Sequence, residues 1–383
     1  MKSRVFQFLQ LIIIKMSSLF LMAFILFYLL FKDGSEAVGY FSGITTTVAP
    51  LVMFSQYRFA EYLSLAKEKR LAYQVSLTSS LMTYCLFGSI MFIIAIFFNI
   101  DIKLLTLMLL YKFFELYSDI YIAYLSIIKQ FKKAFFAVSI RVFSVLVFSI
   151  IVFFVEFDSS VALVETILTI LFLVYAITFF VNFVHEGPKL QFVGVKGYVV
   201  CNYSYALTSI FVSLNSLVPR YFFMFYGNYS GLGVFSIIYL LSSNSVNILQ
   251  YPISLKSDEI KKVLNKFNLK VFLFSIICLV MCLVLFYLLE SFYYFSIVVG
   301  VLSMFLMLLL RGVYITYSIT NALKHKVNFS VICSALISSL IVYAFIKIQN
   351  RYDIMFAIIY VLFSAFITIT LLCFYNYKSI RER

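Results

Sequence analysis

The chain is a succession of apolar runs, each about as long as the ~20 residues a helix needs to cross a bilayer. Short stretches between the runs hold most of the charge. Twelve spans can be read this way: 8–31, 37–56, 72–98, 104–128, 134–155, 160–183, 198–218, 232–254, 271–289, 293–315, 328–346 and 354–376. Composition agrees, with 64% hydrophobic and only 12% charged residues over 383 positions. That charged fraction is about half that of a soluble domain. The expected fold is therefore all-α: a polytopic membrane protein of about twelve transmembrane helices. Lys2 and Arg4 precede the first run, as in a signal peptide. The run is too long for a signal's apolar stretch and no small-residue cleavage site follows, so it reads as a first helix that stays in the protein.

Charge gives an independent check on the count. The net charge is +14. If the N-terminus is cytoplasmic and the loops alternate, the Lys and Arg residues gather on one side, at 58–70, 129–133, 189–196, 256–270, 324–326 and 378–383. The other side holds Lys32, Lys103, Arg220, Lys347 and Arg351. This is the positive-inside pattern. It predicts both termini in the cytoplasm, and one span more or fewer would scramble it. Outer connections are short, the longest running from Arg220 to Gly231. No basic stretch alternates with aromatics in a polar segment, so nucleic acid is not an expected partner.

The six cysteines, Cys85, Cys201, Cys278, Cys282, Cys333 and Cys373, all fall in apolar stretches. They make neither a disulfide framework nor a metal pattern with histidine. Cys278 and Cys282 are one helical turn apart and read as small packing residues. His185 and His325 are far apart in loops, and no nucleophilic triad, P-loop or HExxH pattern is present. No metal, cofactor or catalytic residue is expected, and the chain does not read as an enzyme.

The sequence also repeats. Displaced by 194 residues, Gly39, Phe41, Ser42, Ile44, Val52, Gln56 and Tyr57 meet Gly233, Phe235, Ser236, Ile238, Val246, Gln250 and Tyr251. The offset spans six helices, an even number, so both copies have the same topology. The reading is two parallel six-helix bundles, 1–190 and 191–383, related by an axis along the membrane normal.

Ionisable residues inside spans are costly and mark candidate sites. Lys112, Glu115 and Asp119 are three and four residues apart in the fourth span, which puts them on one helical face. Lys112 and Glu115 can neutralise each other, leaving Asp119 as a candidate proton or cation site. Lys15, Arg141, Glu165 and Arg311 are single charges in the first, fifth, sixth and tenth spans. Two accounts stay open for Lys15, Arg141 and Arg311: snorkelling or local ion pairing, and lining of a cavity for an anionic group. Thr45, Thr46 and Thr47 precede Pro50, and Ser242, Ser243, Asn244, Ser245 and Asn247 fill the matching part of the repeat. Helix packing and a shared polar cavity both account for these clusters.

Several stretches resemble bacterial O-antigen flippases: Val38-Gly-Tyr-Phe-Ser42, Gln56-Tyr-Arg-Phe-Ala-Glu-Tyr-Leu-Ser64, and Lys112-Phe-Phe-Glu-Leu-Tyr-Ser-Asp119 leading to Lys129-Gln-Phe-Lys-Lys133 and Arg141. Gly231-Leu-Gly-Val-Phe-Ser236 extends the resemblance. It implies the multidrug/oligosaccharidyl-lipid/polysaccharide exporter superfamily, with two six-helix bundles around a central cavity in the MATE-like manner. It also implies a bacterial inner-membrane flippase that moves undecaprenyl-pyrophosphate-linked repeat units by alternating access. The partners implied are that lipid-linked oligosaccharide, membrane lipids, a proton or sodium ion, and other polysaccharide assembly proteins. In that scheme Lys15, Lys112, Arg141 and Arg311 face the anionic cargo, and Glu115, Asp119 and Glu165 couple the ion. A drug antiporter of the same superfamily is the alternative, expected to have a less basic, more aromatic cavity with a buried carboxylate. A membrane-embedded polymerase or glycosyltransferase fits less well, because it needs a large outer loop.

Overall fold

The computed structural model describes residues 2–56, 59, 63, 66–97, 101–186, 190–255, 293–320, 324–349 and 353–381. The ninth expected span, the lysines at 256–270, and Cys278 and Cys282 lie outside the described residues, as does the side chain of Lys15. Among the described residues every regular element is a helix. In chain order they are α1 (Lys2–Gln56), α2 (Lys69–Phe97), α3 (Ile102–Ile127), α4 (Phe131–Phe153) and α5 (Ser160–Glu186). They continue with α6 (Val195–Phe225), α7 (Tyr229–Leu255), α8 (Tyr293–Thr320), α9 (Lys324–Gln349) and α10 (Ile354–Arg381). Six segments among these residues are long and apolar enough to cross a membrane: Phe20–Ser55, Lys69–Ile93, Phe131–Phe153, Ser160–Val181, Lys326–Ala344 and Ile354–Tyr375. Helix α3 has the length but carries Lys112, Glu115 and Asp119 in its centre.

Two expected outer loops turn out to be much smaller. Spans one and two are two helical arms, together called α1, that meet at a tight joint where Asp33 (φ −147°) and Gly34 (φ 80°) leave helical geometry. Gly34 supplies the left-handed conformation at little steric cost. The expected loop from Arg220 to Gly231 is largely helical. Hydropathy falls at Pro219 and Arg220, but a proline need only bend a helix, and α6 continues to Phe225. It ends in a Schellman motif, with Gly227 N donating to Met224 O (3.1 Å) and Asn228 N to Phe223 O (3.0 Å), and Gly227 at φ 66°. Asn228 then caps α7 by accepting from Gly231 N at 2.8 Å. Arg220 is therefore a helical residue more than a turn from the end of α6.

The 194-residue offset holds well beyond the matched motif. Displaced by it, the starts of α1, α3, α4 and α5 fall within three residues of those of α6, α8, α9 and α10. The α1 bend at Asp33–Gly34 falls on the α6–α7 joint at Gly227–Asn228. Burial repeats too, with Gly39 and Gly233, Phe41 and Phe235, and Ser42 and Ser236 all buried.

The chain separates into two compact units, Met1–Ile210 and Phe211–Arg383, so the division falls within α6. In the first unit α1 packs against α2, α3, α4 and α5, and α3 packs against α5. In the second, α10 packs against α8 and α9, and α8 against α7. That core includes Phe223, Phe235, Met304, Met307, Phe356 and Tyr360. Helix α4 shows the two environments of a membrane helix. Ala134, Ala137, Val138, Arg141, Val145, Ser149 and Val152 form one buried stripe. Phe136, Phe143 and Ile150 on other faces are more than 60% exposed, which water would not tolerate over so large an area.

Candidate functional site

Helix α3 is the natural place to begin, because its charges lie mid-helix. Asp101 caps its N-terminus, accepting from Lys103 N (2.9 Å) and Leu104 N (3.1 Å). From there the helical period carries Lys112, Glu115 and Asp119 to a single face, as the spacing predicts. Lys112 Nζ lies 2.5 Å from Glu115 Oε2. The Tyr111 hydroxyl donates to the other oxygen, Glu115 Oε1, at 2.7 Å. Both carboxylate oxygens are thus engaged. Lys112 Nζ also sits 4.8 Å from the Tyr111 ring centroid, close enough for a cation–π contact.

Arg141 enters this group from α4. It occupies the middle of the buried stripe and is 4% exposed, so the snorkelling account does not hold for it. Its Nη1 lies 3.7 Å from Asp119 Oδ1, an ion-pair separation longer than a good hydrogen bond. Its guanidinium stacks 5.0 Å from the Tyr175 ring of α5, and Tyr175 meets Tyr111 edge-on at 5.3 Å. Arg141 Nε and Nη1 are buried without a hydrogen-bond acceptor among the described residues. The result is a knot of two cations and two carboxylates, laced by two tyrosines. Its formal charges cancel. Protonating Asp119 would release Arg141 from its only described carboxylate, a change of the kind that can bias a helix packing.

Glu165 stands apart from this knot. It pairs with Lys103 at the start of α3, where Lys103 is largely exposed. The threonine and serine clusters bond back to their own helices where they are described. Thr45 Oγ1 donates to Phe41 O at 2.8 Å and Thr47 Oγ1 to Gly43 O at 3.0 Å, each one turn back. Ser243 Oγ donates to Leu240 O at 3.3 Å. The side chains of Asn244, Ser245 and Asn247 lie outside the described residues.

Arg311 belongs to the second unit. On α8 it shares a face with Leu308 and Ile315, both in the core, and it is 4% exposed. Tyr239 of α7 and Tyr360 of α10 are within its electrostatic reach. The same Tyr239 carries a second cation. The Arg220 guanidinium lies 5.5 Å from its ring centroid. Sequence reasoning missed Arg220 by placing it in an outer loop. The signal that finds it is the continuation of the α6 pattern through Pro219, with Tyr221 to Phe225 still apolar.

The fold has solved counterparts. A MOP superfamily transporter from Pyrococcus furiosus Vc1 (DSM3638) superimposes with a TM-score of 0.54 and 14% identity, over 98% of this chain and 95% of that one. The outward-facing conformation of a multidrug resistance MATE family transporter of the MOP superfamily gives 0.53 and 13%, over 97% and 95%. This is the MOP transporter fold. Both likenesses extend over nearly the full length of each chain. Together with its apolar helices, that makes the chain a multi-pass membrane protein. No family model matches the sequence, and no curated protein matches it.

Proposed function

We propose that the chain is a flippase that carries an anionic, lipid-linked glycan repeat unit across the bacterial inner membrane. In this reading the halves 1–190 and 191–383 alternate access to a cavity between two six-helix bundles, and both termini are cytoplasmic. The observation that carries it is the balance of charge inside the bundle. Lys15, Lys112, Arg141, Arg220 and Arg311 lie within helices, and two of these cations, Arg141 and Arg311, are 4% exposed. Glu115 and Asp119 are the groups on which a coupling proton or sodium ion would act. The transporter from Pyrococcus furiosus is described as having a binding pocket of reverse polarity that suggests a different function. Pocket polarity is thus a variable within this fold, and here the excess is positive.

The experiment is deletion of the gene in a host that makes a surface polysaccharide and has no second flippase. Lipid-linked repeat units should accumulate on the cytoplasmic face, and surface polysaccharide should disappear. Unchanged polysaccharide would end the flippase reading. The partly buried carboxylates Glu115 and Asp119 of the first unit favour a second reading, a cation-coupled drug antiporter. It predicts normal polysaccharide together with raised drug accumulation in the same deletion strain.

A further inference from the structure

The connection from α5 to α6 ends in a short loop whose side chains are apolar and exposed. Leu190 is 51%, Phe192 63% and Val193 77% exposed. The backbone beneath them is nevertheless fixed against the first unit. Gln191 N donates to Thr78 Oγ1 of α2 at 2.9 Å, and that hydroxyl donates in turn to Gln74 O at 2.7 Å. Val195 N donates to Phe192 O (3.3 Å) and Tyr198 N to Gly194 O (2.9 Å). Gly194, at φ 92°, turns the chain beside Val75, and the buried Tyr198 clusters with Val75 and Ala206. The loop is thus held in place with its apolar side chains facing outward.

These contacts also set its depth. At 1.5 Å per residue, Val75 and Thr78 lie about 9 and 14 Å along α2 from its charged start at Lys69. Helix α2 is apolar enough to cross a membrane from Lys69 to Ile93, a stretch only slightly longer than a hydrocarbon layer of about 30 Å. The loop therefore lies near the boundary between headgroups and acyl chains, not beyond it. Backbone that leaves the helix at this depth must still bond its polar groups, and the N–H groups of Gln191 and Val195 do so. The exposed surface then continues along α6. Val193, Lys196, Val200 and Tyr203 follow one another at steps of three, four and three residues, which is one helical face, and all are exposed. An apolar face interrupted by one cation at the level of the helix start is suited to a lipid interface, where a lysine stem lies along apolar surface and its charge reaches the headgroups.

We propose that residues 190–196 anchor the first unit in the leaflet at this end of the bundle. Leu190, Phe192 and Val193 insert among the acyl chains, and Lys196 pairs with the phosphates of anionic headgroups. The leaflet is the one that the positive-inside pattern assigns to the cytoplasmic side. The contact does not depend on what the protein carries. In the alternation proposed above, the loop is the joint between 1–190 and 191–383, and the anchor holds that joint at one depth.

The chain contains no tryptophan, so Phe192→Trp places a single fluorescent reporter at the loop tip. The full chain is reconstituted in vesicles of phosphatidylcholine, with or without phosphatidylglycerol. The expected result is blue-shifted emission, at least twofold quenching by phosphatidylcholine brominated at the headgroup end of its acyl chains, and little quenching by aqueous acrylamide. Val193→Trp should behave alike. Strong quenching by acrylamide with none from the brominated lipid puts the loop in water, and quenching by neither means that protein covers it. Either result overturns the proposal. Adding Lys196→Gln to Phe192→Trp should lower the quenching by brominated lipid in vesicles with phosphatidylglycerol and leave it unchanged in pure phosphatidylcholine. No effect of Lys196→Gln in the anionic vesicles overturns the headgroup contact.

Discussion

Arg141 and Asp119 sit on adjacent helices, 3.7 Å apart, with Arg141 almost wholly buried and Asp119 about one-third exposed. Removing one partner of a fully buried pair costs ~3–5 kcal/mol, because the other charge is left alone. Partial exposure of Asp119 lowers this, so Asp119→Ala should cost about 2 kcal/mol of stability. Arg141→Met should cost less, since it leaves the more exposed group behind. The double variant should recover part of the loss, with a coupling of about 1–2 kcal/mol. Thermal unfolding of the three variants in detergent measures it, and strictly additive losses would show that the pair is not a pair. The α3 half of this knot was legible in the sequence, because spacings of three and four fix a helical face. Its partner was not. Nothing in Arg141's own neighbourhood says which of eleven other spans it meets, and Tyr111 and Tyr175 carried no mark beyond being aromatic in a chain with 29 tyrosines.

At the scale of the element, two helix ends use the same device with different residues. Helix α3 ends with Lys129 N donating to Ser126 O (3.1 Å) and Gln130 N to Leu125 O (2.8 Å), the pattern that Gly227 and Asn228 make at the end of α6. The left-handed residue is Lys129, at φ 63°, where α6 has Gly227. A side chain in that conformation costs ~1–2 kcal/mol. Lys129→Gly should therefore stabilise the protein by about 1 kcal/mol, whereas Lys129→Ala should not. Melting temperatures of the two variants, side by side, decide this. Gly231→Ala should act in the opposite direction. An added Cβ would stand 2.8 Å from both Phe223 Cε1 and Asn228 Nδ2, the first a fully buried ring and the second the cap of α7. Overpacking of this kind costs ~1–3 kcal/mol, and it should be read as a lowered melting temperature with α7 loosened in hydrogen exchange. Hydropathy could not show these joints. It drops at any polar residue, so it drew a loop at Arg220 where the helix continues, and it could not show that the break it drew at Lys32 to Glu36 closes within two residues, Asp33 and Gly34.

For the whole molecule, the 194-residue offset was the most informative sequence feature, and helix starts repeat it to within three residues wherever both copies are described. Few side chains repeat with it, because packing needs only apolar bulk at most positions. The buried glycine, phenylalanine and serine of α1 and α7 are kept where a backbone or a small polar group sets the fit. The even helix count behind this reading predicts where the ends lie. An alkaline phosphatase fusion after Arg383 should be inactive, a green fluorescent protein fusion there should fluoresce, and an active phosphatase would refute the twelve-span topology.

Helix α3 has a consequence for how the protein is made. Lys112, Glu115 and Asp119 near its centre would each cost ~2.5–3.5 kcal/mol to place alone at mid-bilayer, more than its leucines recover with ease. The tight joint at Ile128–Gln130 ties α3 directly to α4, which carries Arg141. The translocon would then release the two as a hairpin, with opposite charges already facing, where α3 by itself would stall at the lateral gate. Biogenesis of the first half thus depends on the order of synthesis.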